Sequence, residues 1–371
     1  MYNSWVEISK SAILHNLSQF QKLAGEAVEI MPIVKSNAYG HGLILISKLI
    51  SKKVKWLGVV SLGEALALRK QGIKNNIFVL SYVPSRYLKE GINQRIDLPL
   101  YDLTDAKIIS QIAGCLKKKA FVHIKVDTGC GRIGVMPAEA VKFVKAVKQY
   151  GNIEIRGIFS HFASSEENAG YTRIQLARFN AVLDALDQIG INIPYQHIAC
   201  SAAILIRPEV KFNFVRLGLG LYGLWPSARA RQIAGKSYPW LKLRPALTWK
   251  TKIIQIKTVS AGGKIGYGGT YVAKHKLKLA VLSAGYWEGY DRKLSNAGIV
   301  LIKNKKCPII GRICMNLMMA DVSKVKDVKL GDDVILLGMG ITADDLADQI
   351  GTINYEVVTR INPLLPRILK N

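Results

Sequence analysis

Lys35 follows the apolar run Ile30-Met31-Pro32-Ile33-Val34 and precedes Leu43–Ile50, so the pattern puts it at the carboxyl end of a buried strand, ahead of a helix. A lysine amine kept from water near other cations loses its proton easily, and a free amine is what imine chemistry requires. On position alone, a lysine snorkelling out of a strand end is the commoner arrangement. Other predicted strand ends carry the Asp127–Arg132 loop, His161, Ser201 and Arg216. Together these supply an amine, two guanidiniums, an imidazole and a hydroxyl, with Asp127 the only carboxylate. That set suits an anionic ligand, not glycoside or metal chemistry. Histidines 15, 41, 123, 161, 197 and 275 show no HExxH or paired ligand spacing, so no metal is expected.

Two glycine-rich stretches add candidates. Gly218-Leu219-Gly220-Leu221-Tyr222-Gly223 matches G-x-G-x-x-G, but Pro226 follows where a helix should run and no acid appears until Glu288. It therefore fails as a dinucleotide fingerprint. Its glycines are equally compatible with backbone N–H groups approaching a phosphate and with a tight turn. Gly266-Tyr267-Gly268-Gly269 puts a tyrosine where little shields it: an exposed turn residue, or one reaching into a neighbouring site. Ser201 lacks the G-x-S-x-G elbow of a nucleophilic serine.

The elements that position these residues alternate short apolar and amphipathic runs. Strands are predicted at 30–34, 56–60, 77–81, 98–101, 121–126, 153–160, 197–200 and 212–217, with helices such as 63–71, 138–150 and 171–189 between them. Eight such units suggest an α/β fold, a parallel (β/α)8 TIM-type barrel with its site at the strand carboxyl ends. Counting alone leaves a doubly wound open sheet as the alternative. After Leu224-Trp225-Pro226 the rhythm becomes strand-like, at 247–259, 276–283, 298–303, 307–313 and 334–337, and only 343–350, capped by Thr342, reads as clearly helical. The expected division is a barrel over 1–234 and a mostly β C-terminal domain over 235–371. Residues 1–10, with the strand-like Trp5–Ile8, are candidates to pack with the second domain.

Composition narrows the class. The 371 residues carry 52 basic and 26 acidic side chains, a net charge of +26, and no acid falls between Glu209 and Glu288. Nucleic-acid motifs are absent, so the charge reads as surface character with weak steering of anions. No apolar run reaches the ~20 residues of a membrane span. The first residues show no signal-peptide pattern, and five cysteines without CxxC spacing point to a reducing, cytoplasmic setting.

Taken in order, Val34-Lys35-Ser36-Asn37-Ala38-Tyr39-Gly40-His41-Gly42, Asp127–Gly134, Ser160-His161-Phe162-Ala163, Val215-Arg216-Leu217-Gly218, Gly266-Tyr267-Gly268, Gly285-Tyr286 and Gly311–Met315 resemble the motifs of alanine racemases across essentially the whole chain. The resemblance implies a pyridoxal 5'-phosphate enzyme interconverting L- and D-alanine by a two-base mechanism on the cofactor's external aldimine, supplying D-alanine for peptidoglycan. Lys35 would hold the cofactor and act as one base. Tyr267, from the other subunit of a head-to-tail homodimer, would be the second. Arg216 would bond the pyridine nitrogen with His161 behind it, and Tyr39, Ser201, Gly218, Leu219 and Tyr355 would hold the phosphate. Arg132, Met315 and Tyr286 would meet the substrate, and Lys125 matches a lysine carbamylated in some members. Asn316-Leu317 stands where Asp-Gln is common, and Trp287-Glu288 where Ala-Asp is. A broad-specificity racemase, a decarboxylase of the same fold and a non-catalytic cofactor carrier are the competing readings. The first is often exported with disulfides, the second needs another cysteine motif, and the third has no β domain.

Overall fold

The computed structural model describes residues 3–371. Contacts divide the chain into two compact units. One comprises Ile13–Ala38 and Ile46–Arg244; the other combines the segment ending at Ala12 with Tyr39–Leu45 and Pro245–Asn371. Strand β1 (Trp5–Ser9) belongs to the second unit.

The first unit holds eight parallel strands: β2 (Glu29–Pro32), β3 (Trp56–Val59), β4 (Asn76–Val79), β5 (Ile96–Leu100), β6 (Ala120–Lys125), β7 (Ile153–Phe159), β8 (Tyr195–His197) and β9 (Phe214–Leu217). Strands β3 to β8 pair in sequence order, and β2 pairs with β9. A parallel bridge from Ile33 to Gly58 links β2 to β3, and the Arg216 N–H donates to the Ala199 carbonyl at 3.1 Å beyond β8. The strands therefore form the predicted barrel. Parallel strands covered on both faces read as continuous apolar runs, and all of Trp-Leu-Gly-Val in β3 is buried. Every residue of β5, Ile-Asp-Leu-Pro-Leu, is buried too, including the charged Asp97.

The second unit is mostly β. Its main sheet runs β15 (Lys305–Pro308), β14 (Ile299–Ile302), β17 (Asp333–Leu337), β10 (Leu247–Val259), β1 and β18 (Arg367–Lys370), and β13 (Leu277–Leu282) joins β10 to β16 (Met318–Asp321). The short β11 (Lys264–Ile265) and β12 (Tyr271–Val272) form a separate ribbon. β1 alternates half-buried and buried residues, the pattern of a sheet with one packed face. It runs antiparallel to β10 and parallel to β18.

Several details differ from the pattern reading, among them a ten-residue helix at Ala228–Ser237, beyond Pro226, where only 343–350 reads as clearly helical. The strand predicted at 307–313 runs over Lys305–Pro308, because Lys303 and Asn304, with φ of 46° and 61°, make a tight hairpin turn that starts it early. β16 and the helix Asn354–Thr359 are four and six residues long, too short for a periodic signal to show. The helix Ala343–Ile350 has the full capping box, Thr342 and Asp345 each bonding the other's backbone. The segment Tyr39–Leu45 packs within this unit. A Cβ on Gly40 would lie 2.0 Å from the Val358 carbonyl oxygen, so only glycine fits there.

Candidate active site

Arg216, near the carboxyl end of β9, is 5% exposed. Its Nη1 donates to His197 Nδ1 at 2.8 Å and the His197 carbonyl at 3.2 Å. Its Nη2 donates to the carbonyls of Ser160 (2.8 Å) and Ile198 (2.9 Å) and to His161 Nδ1 at 3.1 Å. All five acceptors are neutral. A guanidinium can only donate, so both Nδ1 atoms must present lone pairs, and each neutral ring carries its hydrogen on Nε2. Burial, followed by the Arg216 charge, holds both histidines far below their usual pKa. Burial, against a partial opposing pull from Cys200, lowers Arg216 to about 10, which leaves it charged at neutral pH.

The hydrogen bonds continue into the barrel. His197 Nε2 lies 3.0 Å from His123 Nδ1, and His123 Nε2 lies 3.3 Å from Asp97 Oδ2. With the tautomer set at Arg216, His197 donates to His123 and His123 donates to Asp97. Arg156 closes the chain with Nη1 at 3.1 and 3.2 Å from the two Asp97 oxygens. Burial lowers the His123 pKa against the opposing effect of Asp97, keeping that ring neutral as well. Gly157 makes room: a Cβ there would sit 2.1 Å from His123 Nδ1. Asp97 and His123 escape a search for strand-end residues because they sit within strands, and His197, which ends β8, escapes it because the predicted strand begins there. The available signal was a polar residue interrupting an otherwise apolar run.

Around this clamp stand the other cations. Lys125, at the end of β6, is 5% exposed, and its Nζ lies 4.5 Å from the centre of the Phe159 ring. Burial, then Arg216 and Arg132, drop its pKa to about 7. Lys35 is half-buried; burial first and then Arg132 lower its pKa, opposed by Glu64. Arg132 ends a loop folded round the Asp127 carboxylate. Oδ1 accepts the N–H groups of Gly129 (2.9 Å), Cys130 (2.7 Å) and Gly131 (3.2 Å), and Oδ2 that of Arg132 (2.9 Å). Burial would raise the Asp127 pKa, but these four donors outweigh it and hold it below the usual carboxylate value.

Ser201 and the glycine stretch form the third component. The Gly218 and Gly220 N–H groups donate to Ser201 Oγ at 2.9 and 3.3 Å, and Leu219–Tyr222 make a single 3₁₀ turn. The two N–H groups are thus met by the Ser201 oxygen, which leaves the Ser201 O–H to donate to an anion. This donor set suits pyridoxal phosphate: an amine for its aldehyde, a pinned guanidinium for its ring, and a hydroxyl donor held by backbone N–H groups for its phosphate.

Profiles for the alanine racemase N-terminal domain and C-terminal domain match residues 8–226 and 246–369. The chain belongs to the alanine racemase family. It is 42% identical to the alanine racemase of Halothermothrix orenii, over 99% of this chain and 97% of that one. The solved alanine racemase of Clostridium difficile 630 superposes with a TM-score of 0.95 at 36% identity, covering 100% of this chain and 96% of that chain. The Bacillus anthracis alanine racemase solved with bound L-Ala-P gives 0.91 at 33% identity, covering 100% and 96%. The family is one of pyridoxal-phosphate-dependent isomerases.

Within the barrel unit, then, Lys35, Lys125, Arg132, His161, Ser201, Arg216, Gly218 and Leu219 all lie at or just beyond strand carboxyl ends. The remaining predicted residues belong to the β unit. Tyr39 and Tyr355 have ring centroids 6.2 Å apart. Tyr267 opens a one-turn 3₁₀ segment and is 72% exposed. Tyr286 and Met315 lie on adjoining turns, tied by bonds from the Tyr286 N–H to the Cys314 carbonyl (3.1 Å) and from the Trp287 N–H to the Met315 carbonyl (2.9 Å). The unusual Glu288 and Asn316 bond each other: Glu288 Oε1 accepts from Asn316 Nδ2 at 2.9 Å, and Oε2 accepts the Gly285 N–H at 2.8 Å.

Proposed function

We propose that this chain interconverts L- and D-alanine with pyridoxal 5'-phosphate, Lys35 and Tyr267 serving as bases on opposite faces of the substrate. The observation that carries this reading is the Arg216 clamp. A buried guanidinium held by five neutral acceptors stays charged at neutral pH, so it offers a ring nitrogen a hydrogen bond and not a proton. When bound, the cofactor condenses with amines and makes the α-hydrogen of an amino acid acidic. Everything else falls to the protein. Lys35 Nζ, its proton affinity reduced by burial and Arg132, accepts and returns the α-proton on one face. Tyr267 does so on the other. As a base, a tyrosine needs positive surroundings, because its ordinary pKa is about 10.

In this reading Arg132 and the Met315 N–H hold the substrate carboxylate, with Tyr286 lining the substrate side. Tyr39, Ser201, Gly218, Leu219 and Tyr355 hold the phosphate, and His161 supports Arg216. Lys125, neutral for part of the time at neutral pH, is nucleophilic enough for carbamylation. Tyr267 and Met315 come from a second copy in a head-to-tail homodimer, which is consistent with the exposure of Tyr267 and with 55% exposure of Met315. The barrel domain is proposed over 1–234 and the β domain over 235–371, with residues 1–10 packing with the β domain. No helix among the described residues is long and apolar enough to cross a membrane. We place the enzyme in the cytoplasm, with D-alanine for peptidoglycan as its product.

The test is α-proton exchange in deuterated water from each alanine enantiomer. Wild type should wash deuterium into both. Tyr267→Phe should lose exchange far more from one enantiomer than from the other. Equal loss from both, or none, overturns the two-base assignment.

A further inference from the structure

The backbone just after Lys35 is unusual. Ser36, Asn37, Ala38 and Tyr39 have φ of 54°, 54°, 53° and 53°, a left-handed turn of four residues, none of them glycine. For L-residues this conformation is unfavourable, because Cβ crowds the following carbonyl oxygen. Such strain persists only where the surroundings over-determine it, and it gathers where geometry matters to function. One support is local: the Ala38 N–H donates to the Val34 carbonyl at 2.8 Å. Another comes from a different strand–helix unit.

Glu64 lies in the first turn of the helix Leu62–Lys70, whose N-cap is Ser61. Ser61-x-x-Glu64 is a capping-box sequence, in which the glutamate ordinarily reaches back to its own N-cap N–H. Half of the box is made, with the Glu64 N–H on Ser61 Oγ at 3.3 Å. The carboxylate is diverted. Oε1 accepts the Ser36 N–H at 2.6 Å, and Oε2 accepts the Val60 N–H at 3.0 Å. One ionised side chain thereby ties the first residue of the strained turn to the residue following β3. Charge-assisted bonds of this kind are roughly twice as strong as neutral ones.

We propose that Glu64 is the positioning residue for Lys35: by gripping the Ser36 N–H it holds the left-handed turn and fixes the direction in which the lysine leaves its strand. The inference rests on the reading of Lys35 as the cofactor lysine. It concerns a residue that touches neither reacting atoms nor cofactor in that scheme. Its charge also opposes the effects of burial and Arg132 on the Lys35 amine.

The experiment compares holoenzymes of wild type, Glu64→Ala, Glu64→Gln and Ser61→Ala. The readouts are dissociation of pyridoxal phosphate, thermal midpoint, hydrogen exchange in the peptide containing residues 35–39, steady-state kinetics with alanine, and borohydride trapping with peptide mapping. Glu64→Ala should hold the cofactor at least ~10-fold more weakly, with exchange in 35–39 faster by a similar factor. Its kcat for alanine should fall while KM changes little. Glu64→Gln, which keeps an acceptor for Ser36 and folds more safely, should fall between. Ser61→Ala removes the same helix's cap, so it should lower the thermal midpoint without moving cofactor affinity or exchange in 35–39. If Glu64→Gln and Glu64→Ala lower only the thermal midpoint, as Ser61→Ala does, Glu64 is a helix-capping residue and the proposal is wrong. Trapping that labels a residue other than Lys35 instead overturns the reading beneath it.

Discussion

The surroundings of Lys35 and of Tyr267 are built in opposite ways. Lys35 leaves a parallel strand into a turn gripped by Glu64, and burial together with Arg132 sets the proton affinity of its amine. Arg216, Lys125, His161 and Ser201 lie at strand ends of the same unit, and a buried chain of bonds from Arg216 to Asp97 anchors the first of them. Tyr267 sits on a 3₁₀ turn between Gly266 and Gly268, with nearly three-quarters of its surface open. One surrounding is formed by residues of its own unit. The other is a presented side chain awaiting an environment. In the proposed mechanism a second chain has to supply that environment to Tyr267.

Several substitutions would break or sharpen this contrast. The largest effect should follow Lys35→Ala, which removes both the cofactor attachment and a base. Racemisation should drop by ~10⁴-fold or more, measured polarimetrically, while thermal stability of the chain without cofactor stays close to wild type. Next is Asp97→Ala, which leaves His123 and Arg156 without their buried partner. A loss of about 3–5 kcal/mol is expected from denaturant unfolding, with nothing comparable from Tyr267→Phe, because that residue is exposed.

A smaller effect tests Lys125 through pH. Its folded pKa of about 7 lies below the usual lysine value of 10.5, so the unfolded chain binds the extra proton between those values. Stability should therefore rise with pH from about 7 towards 10 as this penalty is relieved. Lys125→Met should flatten that rise, measured as denaturant midpoints in carbonate-free buffer. The smallest effect is reserved for the β unit away from the site. Thr342→Ala breaks the capping box of Ala343–Ile350 and should cost about 1 kcal/mol, with racemisation unchanged.

The same contrast governs how much could be read from the sequence. Strands of a parallel barrel are continuous apolar runs, so their ends were visible, and with them Lys35, His161, Ser201 and Arg216. The grip on Lys35 was hidden. Ser-Asn-Ala-Tyr carries no glycine to announce left-handed backbone, and Glu64 reads as an ordinary capping-box residue whose carboxylate only the fold diverts. Asp97 and His123 were concealed because strand pattern ranks residues by apolarity, and a polar residue inside a run looks like an interruption. In the β unit, β16 and Asn354–Thr359 were lost to their brevity. Tyr267 was found through its motif alone, since an exposed turn leaves no periodic trace.

Mixing inactive chains tests the shared-site proposal most directly. Lys35→Ala and Tyr267→Phe chains are each expected to be severely impaired, but if each site takes its lysine from one chain and its tyrosine from the other, a mixed dimer regains one intact site. Co-refolding equal amounts should restore about a quarter of wild-type activity, from random pairing into symmetric and mixed dimers. Activity no higher than that of the separate variants, with mixed dimers demonstrated by mass, would contradict the proposal that Tyr267 serves its partner's site.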